Sequence, residues 1–218
     1  MFTTLLFDLD GTLTDSGEGI MRCAQYALAH FGIQVADYRS LRCFVGPPLE
    51  DSFIDFFGFT SEQADEAVRV YRERYFTTGV YENKVYPGTV EALTELQRCG
   101  FRMGIGSSKN LPMVLEVLRY FDLDRFFDFK AARDEAGTLH TKADVLRSAI
   151  ERHHLDPATT LMIGDRCHDV EGAHAVGMPA AGILWGGYGT REEMELYHAE
   201  YIVESWEELL EIVKKPCV

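Results

Sequence analysis

Two carboxylates, one residue apart, follow an apolar stretch near the start of the chain. Residues 2–7 are predicted to form a buried strand of a parallel sheet, and Asp8 and Asp10 come directly after it, ahead of Gly11. Alternate residues of an extended segment point the same way, so both carboxylates are predicted to lie on one side. Like charges this close need a counter-cation or a shared proton, and magnesium suits such oxygen ligands. A helix cap or an exposed acidic turn is the alternative.

A second apolar stretch also ends in acids. Residues 160–163 are predicted to form a strand that runs into Gly164 and Asp165, with Asp169 four residues further on. Two strands that deliver acids to the same edge of one sheet can form an oxygen-lined cation site. For Asp169 the alternative is an N-cap of the following helix, and both roles can coexist.

Hydroxyl side chains follow another predicted strand, and a cationic side chain lies at the start of a predicted helix. Ser107 and Ser108 follow a predicted strand at 101–106 and precede a helix, where hydroxyls and free amides suit a phosphate oxygen. A simple helix cap is the alternative. Lys142 stands in the first turn of a helix, where a cation is electrostatically misplaced. Pairing with an anion or a carboxylate would explain it, whereas the alternative is a solvated surface lysine.

These candidate side chains can lie close together only if the strands that precede them end at the same edge of one sheet. From Tyr86 onward, strands alternate with helices through short loops, which predicts an α/β fold with a doubly wound, Rossmann-like parallel sheet covered on both faces. Further helices are predicted at 111–121, 141–153 and 169–176. The predicted strands are 2–7, 101–106, 126–131, 160–163, 180–184 and 201–203.

The segment between the first acids and this alternation has a different pattern. Apolar residues at helical spacing predict an all-helical insertion over 16–79, so that 1–15 and 80–218 form the α/β core. A short helix is predicted at 38–43 and a loop at Gly46 and Pro47, with Arg42 nearby. This loop either meets the substrate's leaving group or is a structural turn between helices. Thr60 and Gln63 carry a capping-box signature.

Composition restricts the class of partner. The 218 residues carry a formal net charge of -14, which argues against binding to nucleic acid or an anionic membrane. No apolar stretch approaches a membrane span of about 20 residues, and no signal segment is expected at the start. The five cysteines show no Cys-x-x-Cys pair, so reduced thiols and a cytoplasmic location are expected. The sequence does not distinguish a monomer from a dimer.

The chain resembles the haloacid dehalogenase-like hydrolase superfamily in four motifs. They are Asp8-Leu9-Asp10-Gly11-Thr12, then Ser107, then Lys142, then Gly164-Asp165 with Asp169. Their order and spacing match across nearly the whole chain, and the insertion lies where members with a small helical cap carry it. Val45-Gly46-Pro47-Pro48-Leu49 and the stretch 165–178 resemble the phosphoglycolate phosphatase-like branch.

The resemblance implies a magnesium-dependent phosphatase that acts on a small phosphorylated metabolite. Asp8 resembles the nucleophile that becomes an aspartyl-phosphate, and Asp10 resembles the general acid and base, whose backbone carbonyl is also a usual metal ligand. Asp165 resembles the metal-ligating acid and Asp169 its water-bridged neighbour. The phosphate-holding residues are Ser107, Lys142 and, beside them, Ser108; substrate specificity is assigned to Arg42, Gly46 and Pro47.

Several alternatives stay open. A sugar phosphomutase of the β-phosphoglucomutase kind shares all four motifs, although Gly164 before Asp165 favours hydrolysis. A pyrophosphatase or a nucleotidase has the same fold. A module that only binds a phosphorylated ligand is the non-enzyme alternative. The acids Asp10 and Asp165 argue against a haloalkanoate dehalogenase, and the inserted helices argue against a receiver domain. Roles for Lys109, Arg166 and His168 are not predicted.

Overall fold

Six parallel strands form one sheet in this computed structural model, which describes residues 1–134 and 136–214. Helices α4–α9 belong to the same α/β unit, and α1–α3 belong to a helical unit. The strands are β1 Thr4–Phe7, β2 Arg102–Asn110, β3 Phe129–Arg133, β4 Thr160–Gly164, β5 Ala180–Ile183 and β6 Tyr201–Val203. The helices are α1 Gly17–His30, α2 Leu49–Phe57, α3 Ser61–Thr77, α4 Thr89–Arg98, α5 Leu111–Tyr120, α6 Lys142–His153, α7 Cys167–His174, α8 Arg191–Leu196 and α9 Trp206–Lys214.

The strand order is β3-β2-β1-β4-β5-β6, with β1 between β2 and β4. Phe7 lies opposite Ile105 of β2 on one side and opposite Ile163 of β4 on the other. The segments that leave these three strands therefore emerge side by side at one edge of the sheet. The predicted doubly wound parallel sheet is confirmed.

Apolar side chains cover both faces of this sheet. On one face, Leu6 and Met162 belong to a buried cluster with Leu146 of α6 and Val170 of α7. On the other face, the ring of Phe7 lies 6.3 Å from that of Trp206 in α9. All four residues of β1 are buried, which explains why its sequence is a continuous apolar run without alternation.

The helical unit comprises Asp15–Lys84, and the α/β unit comprises Met1–Thr14 with the chain from Val85 onward. Inside the helical unit, Arg74 forms a two-pronged ion pair with Glu82, with distances of 2.7 and 2.9 Å. The capping box at Thr60 and Gln63 is present at the start of α3. The helix predicted at 38–43 is a 3-10 helix, Tyr38–Phe44, with a kink at Leu41.

Other boundaries also differ from the sequence predictions, and the strand predicted at 2–7 begins only at Thr4. The strand predicted at 126–131 begins only at Phe129, because Asp124–Phe126 forms a 3-10 turn that buries Phe126. β2 continues through Asn110, where a short loop was predicted, and its register against β3 shifts between Ser107 and Asn110. The helix predicted at 169–176 is Cys167–His174.

No disulfide joins the described cysteines Cys23, Cys43, Cys99 and Cys167, whereas Cys217 lies outside the described residues. Across 1–134 and 136–214, no helix combines the length and the apolar character that crossing a membrane requires.

Candidate active site

Three buried carboxylates meet where β1 and β4 end. The backbone N–H of Asp8 donates to the carbonyl of Ile163 over 2.9 Å, which fixes the first acidic loop beside the second. Carboxylate oxygens of Asp8, Asp165 and Asp169 lie within 4.8 Å of one another. The adjacency of β1 and β4 thus brings together acids that the sequence places far apart.

Lys142 is the cation of this cluster. Its buried ammonium group lies 2.8 Å from Asp8 Oδ1 and 2.6 Å from Asp169 Oδ1, and it donates to the carbonyl of Gly106 over 2.8 Å. One side chain therefore links β2 to the segments that follow β1 and β4. Two carboxylate partners explain why a lysine occupies the first turn of a helix, where the helix dipole disfavours it.

The local sequence places Lys142 there. Thr141 and Asp144 form a capping box at the start of α6: the Asp144 N–H donates to the Thr141 hydroxyl over 3.1 Å, and the Thr141 N–H donates to the Asp144 carboxylate over 3.0 Å. The lysine stem then passes against α7, where a Cβ at Gly172 would come within 2.6 Å of Lys142 Cγ. Any side chain at Gly172 would displace the lysine from the acids.

Burial and charge shift the ionisation of this cluster. Burial raises the pKa of Asp8 to about 6, and the neighbouring ammonium of Lys142 opposes that rise. Burial, together with repulsion from Asp169, raises the pKa of Asp165 well above its ordinary value. Burial alone would lower the pKa of Lys142, but the charges of Asp169 and Asp8 raise it above the ordinary value. When all three acids are ionised, they carry more negative charge than the ammonium of Lys142 offsets.

The chemistry of this donor set fits magnesium. Asp165 Oδ1 accepts from the Thr12 hydroxyl over 3.3 Å, whereas Asp165 Oδ2 is buried and has no hydrogen-bond partner among the described residues. The backbone makes room for that oxygen, since a Cβ at Gly11 would lie 2.2 Å from it. A buried carboxylate oxygen without a donor is costly, and a hard divalent cation bound by carboxylates would satisfy it.

The carboxylate of Asp10 has a separate partner, Lys109. Lys109 Nζ lies 2.8 Å from Asp10 Oδ2, and both side chains are almost fully buried. Sequence reasoning missed this pair because it placed Lys109 in a loop. The usable signal was spacing: in an extended strand Lys109 points the same way as Ser107, two residues earlier. The second oxygen, Asp10 Oδ1, is buried without a described partner.

Comparison with known proteins identifies the family. The model of the haloacid dehalogenase-like hydrolases matches residues 5–183, which include all four motifs. The chain belongs to this family. The resemblance drawn from the motifs is thereby confirmed, and the acidic edge of the sheet is where a haloacid dehalogenase-like hydrolase carries its four motifs.

Comparison with three similar proteins indicates the class of enzyme. A 5'-nucleotidase of Pseudomonas aeruginosa is 39% identical over 90% of this chain and 88% of its own length. Tyrosine-protein kinase PtkA of Mycobacterium tuberculosis is 36% identical over 85% of this chain, which spans 62% of that kinase's length. The crystal structure of a predicted phosphatase from Clostridium acetobutylicum is 40% identical over 98% of both chains, with a TM-score of 0.94. This haloacid dehalogenase-like hydrolase is a phosphohydrolase.

The two serines lie at the end of β2. Ser107 is buried, and its hydroxyl accepts from the backbone N–H of Lys109 over 3.3 Å. Ser108 is half-buried. The next helix, α5, has Asn110 at its N-cap without a capping side-chain hydrogen bond. A helix cap thus does not account for these polar residues.

Asp169 does not form the N-cap of α7, which corrects that alternative. It stands in the first turn, where its Oδ2 accepts from the backbone N–H of Arg166 over 3.1 Å while its Oδ1 pairs with Lys142. A Cβ at Gly164 would lie 2.2 Å from Asp169 Cγ, so a glycine is required there. With both oxygens paired, Asp169 is suited to stand behind a cation rather than to bind it directly.

The neighbouring residues Arg166, Cys167 and His168 have partners outside the acidic cluster. His168 is exposed and lies 3.8 Å from Glu171. Burial raises the pKa of the Cys167 thiol to about 12, with a further contribution from the Glu193 carboxylate, which suits an unreactive thiol. Arg166 pairs with Glu193 over 3.2 Å.

The remaining candidates belong to the helical unit. Arg42 lies in the 3-10 helix Tyr38–Phe44, and Gly46 and Pro47 lie in the loop before α2. Gly46 has a φ of 111°, which favours glycine.

Proposed function

We propose that this phosphohydrolase is a magnesium-dependent phosphatase that cleaves small phosphomonoesters through an aspartyl-phosphate on Asp8. One observation carries the proposal: in the buried cluster of Asp8, Asp165 and Asp169, Lys142 pairs with Asp8 and Asp169, and Asp165 Oδ2 has no hydrogen-bond partner among the described residues. The phosphatase-named relatives support the reaction class.

In the first half-reaction, an oxygen of Asp8 attacks phosphorus while the bond from phosphorus to the leaving oxygen breaks. Asp10 gives a proton to that leaving oxygen. In the second half-reaction, Asp10 takes a proton from water as the water oxygen attacks phosphorus, and inorganic phosphate and free Asp8 result. Asp10 Oδ1, buried and without a described partner, is the oxygen suited to hold this proton.

Attack by a carboxylate on a phosphate dianion is repulsive, so the surroundings must offset negative charge. Lys142 holds Asp8 Oδ1 and adds positive charge beside it. The Ser107 hydroxyl and the backbone amides after it are proposed to hold phosphate oxygens, with Ser108 next to them. Asp8, Asp165 and the backbone carbonyl of Asp10, with Asp169 behind them, would hold magnesium, which would supply electrostatic stabilisation of the phosphoryl oxygens.

The proposed substrate is a small phosphorylated metabolite. The cations of the site act over a short range, so they can attract this anion despite the net charge of -14. Phosphoglycolate-like esters are the first candidate, on the motifs of the phosphoglycolate phosphatase-like branch. Nucleoside monophosphates are the second, favoured by the 39% identity to a 5'-nucleotidase. Pyrophosphate and sugar phosphates are the remaining candidate substrates.

The helical unit Asp15–Lys84 is proposed to act as the cap that excludes water from the aspartyl-phosphate stage. Arg42, Gly46 and Pro47 are proposed to select the leaving group. The net charge of -14 argues against nucleic acid as a partner. A cytoplasmic location is also proposed, since the described cysteines form no disulfide.

The decisive experiment measures phosphate release from a panel of these phosphoesters, with magnesium and with chelator, for wild type and Asp8→Asn. We expect magnesium-dependent turnover that is lost in Asp8→Asn. In that variant, an amide of nearly the same shape replaces the nucleophilic carboxylate. The ranking within the panel then gives the substrate class.

Two results would contradict the proposal. Turnover that persists in Asp8→Asn would exclude an aspartyl-phosphate on that residue. A folded wild type that releases no phosphate from any substrate would favour the sugar phosphomutase, for which isomerisation of a sugar phosphate is the assay, or a phospho-ligand binding module.

A further inference from the structure

Glu193 of α8 lies against the loop that carries Asp165 and Asp169. Its Oε1 accepts from the backbone N–H of Cys167 over 2.7 Å and from Arg166 Nε over 3.2 Å. The Glu193 side chain is only 19% exposed. A partly buried carboxylate that binds a backbone amide and a guanidinium together fixes the path of the chain between them.

That path continues directly into the acidic cluster. Arg166 follows Asp165 in the chain, and its backbone N–H donates to Asp169 Oδ2. Glu193 therefore contacts the two residues between Asp165 and His168, and one of them orients Asp169. A displacement of Arg166 and Cys167 would move both acids.

The chain that leads to α8 is itself pressed against both acidic loops. A Cβ at Gly189 would lie 1.9 Å from the carbonyl oxygen of Asp165, and a Cβ at Gly186 would lie 1.9 Å from that of Gly11. Trp185 Nε1 donates to the carbonyl of Thr12 over 2.9 Å. The segment 185–193 thus spans from the first acidic loop to the second.

We infer that Glu193 is a positioning residue that sets the magnesium affinity of the site by holding Arg166 and Cys167. The inference rests on the proposed function. Glu193 does not reach the cluster itself; its effect is on the placement of Asp165 and Asp169. Residues that orient metal-binding groups from behind commonly change metal affinity by about 10- to 100-fold when they are removed.

The test is a direct magnesium titration by calorimetry on the chelator-stripped full chain, with thermal unfolding recorded in chelator. Glu193→Ala removes the acceptor, and Glu193→Gln keeps an oxygen but loses the charge. Glu195→Gln, at an exposed position of the same helix, is the matched control. We expect the magnesium Kd to rise about tenfold in Glu193→Ala, less in Glu193→Gln and not in Glu195→Gln.

Turnover gives a second readout. The magnesium concentration for half-maximal rate should rise with Kd, whereas kcat at saturating magnesium should stay within about twofold, because the cluster is restored once the ion is bound. If Glu193→Ala does not fold, Glu193→Gln decides the question by the same measures.

The outcomes separate the two proposals. Wild-type magnesium affinity in both Glu193 variants, even with a lowered Tm, would show a merely structural role and overturn this inference alone. A wild type that binds no magnesium would overturn the proposed function, and with it the role of Glu193.

Discussion

Lys109 Nζ lies 2.8 Å from Asp10 Oδ2, with 7% of the lysine side chain and 10% of the aspartate side chain exposed. This ion pair joins the end of β2 to the loop after β1. It also places a second cation, beside Lys142, where a phosphate dianion is proposed to bind. Lys109 therefore orients the proposed proton donor and adds positive charge to its surroundings.

Removing Lys109 leaves the buried carboxylate of Asp10 without its ammonium partner. We expect Lys109→Met to lower the free energy of unfolding by about 3 kcal/mol. The double variant Lys109→Met/Asp10→Asn should lose less than the sum of the single variants, by at least about 1 kcal/mol. Urea unfolding in chelator measures this, with exposed Lys84→Met as the control. Additive losses would contradict the pairing.

Lys142→Met would leave Asp8 and Asp169 facing each other without a cation. At pH 7 we expect the free energy of unfolding to fall by about 3–5 kcal/mol. The loss should be smaller at pH 5, because Asp8, whose pKa is about 6, then carries its proton. Denaturation in chelator at both pH values measures the difference. An equal loss at pH 5 and pH 7 would show that the lysine acts through packing alone.

The raised pKa of Asp8 makes stability depend on pH in a defined direction. The folded state holds the Asp8 proton up to about pH 6, whereas the unfolded chain releases it near 3.8. Stability of the metal-free protein is therefore lost as pH rises through this window, by up to about 3 kcal/mol from this group. Comparison with Asp8→Asn isolates the contribution. A difference between the two proteins that does not change from pH 4 to pH 6 would contradict it.

Neighbouring glycines in the loop after β5 provide a matched pair. An alanine at Gly186 would place Cβ 1.9 Å from the carbonyl oxygen of Gly11, whereas Gly187 has open space and a φ of 70°. We expect Gly187→Ala to cost about 1 kcal/mol from backbone strain and to keep activity. Gly186→Ala should displace the first acidic loop and lower kcat/KM at least about tenfold. Thermal unfolding and phosphate release measure the two effects; equal losses of activity would refute the close-contact argument.

Arg42 is proposed to contact a carboxylate of the substrate, for which a planar guanidinium is suited. Arg42→Ala should then raise KM about tenfold for carboxylated phosphoesters, and leave KM for other phosphoesters unchanged. Arg39→Ala, at an exposed position of the same 3-10 helix, is the control. The same rise for every substrate would remove Arg42 from the specificity-determining residues.

The parallel sheet and its acidic edge were predictable, because each strand there is a short apolar run that ends in a polar residue. That pattern depends only on neighbours in the chain, and it correctly placed Asp8 and Asp165 at strand ends on one edge of the sheet; the structure shows that the two strands are neighbours. The misplaced Lys142 likewise indicated an anion or a carboxylate as its partner, and the structure supplies two carboxylates.

Features that depend on packing between distant segments were not predictable. Lys109 reaches Asp10 only because β2 continues past Ser107 with a shifted register. Glu193 belongs to a six-residue helix with no distinct hydrophobic period, and its contacts depend on how the loop after β5 lies. The start of β3 was predicted too early. Phe126 and Phe127 are buried although they precede the strand, so their apolar character did not distinguish a turn from a strand.

The central position of β1 has a consequence for synthesis of the protein. Asp8 precedes its ion-pair partner Lys142 by 134 positions in the chain, and Thr12 bonds to Asp165 across 153 positions. A nascent chain on the ribosome therefore carries the proposed nucleophile long before the groups that activate it. The proposed site is therefore incomplete until β4 docks beside β1.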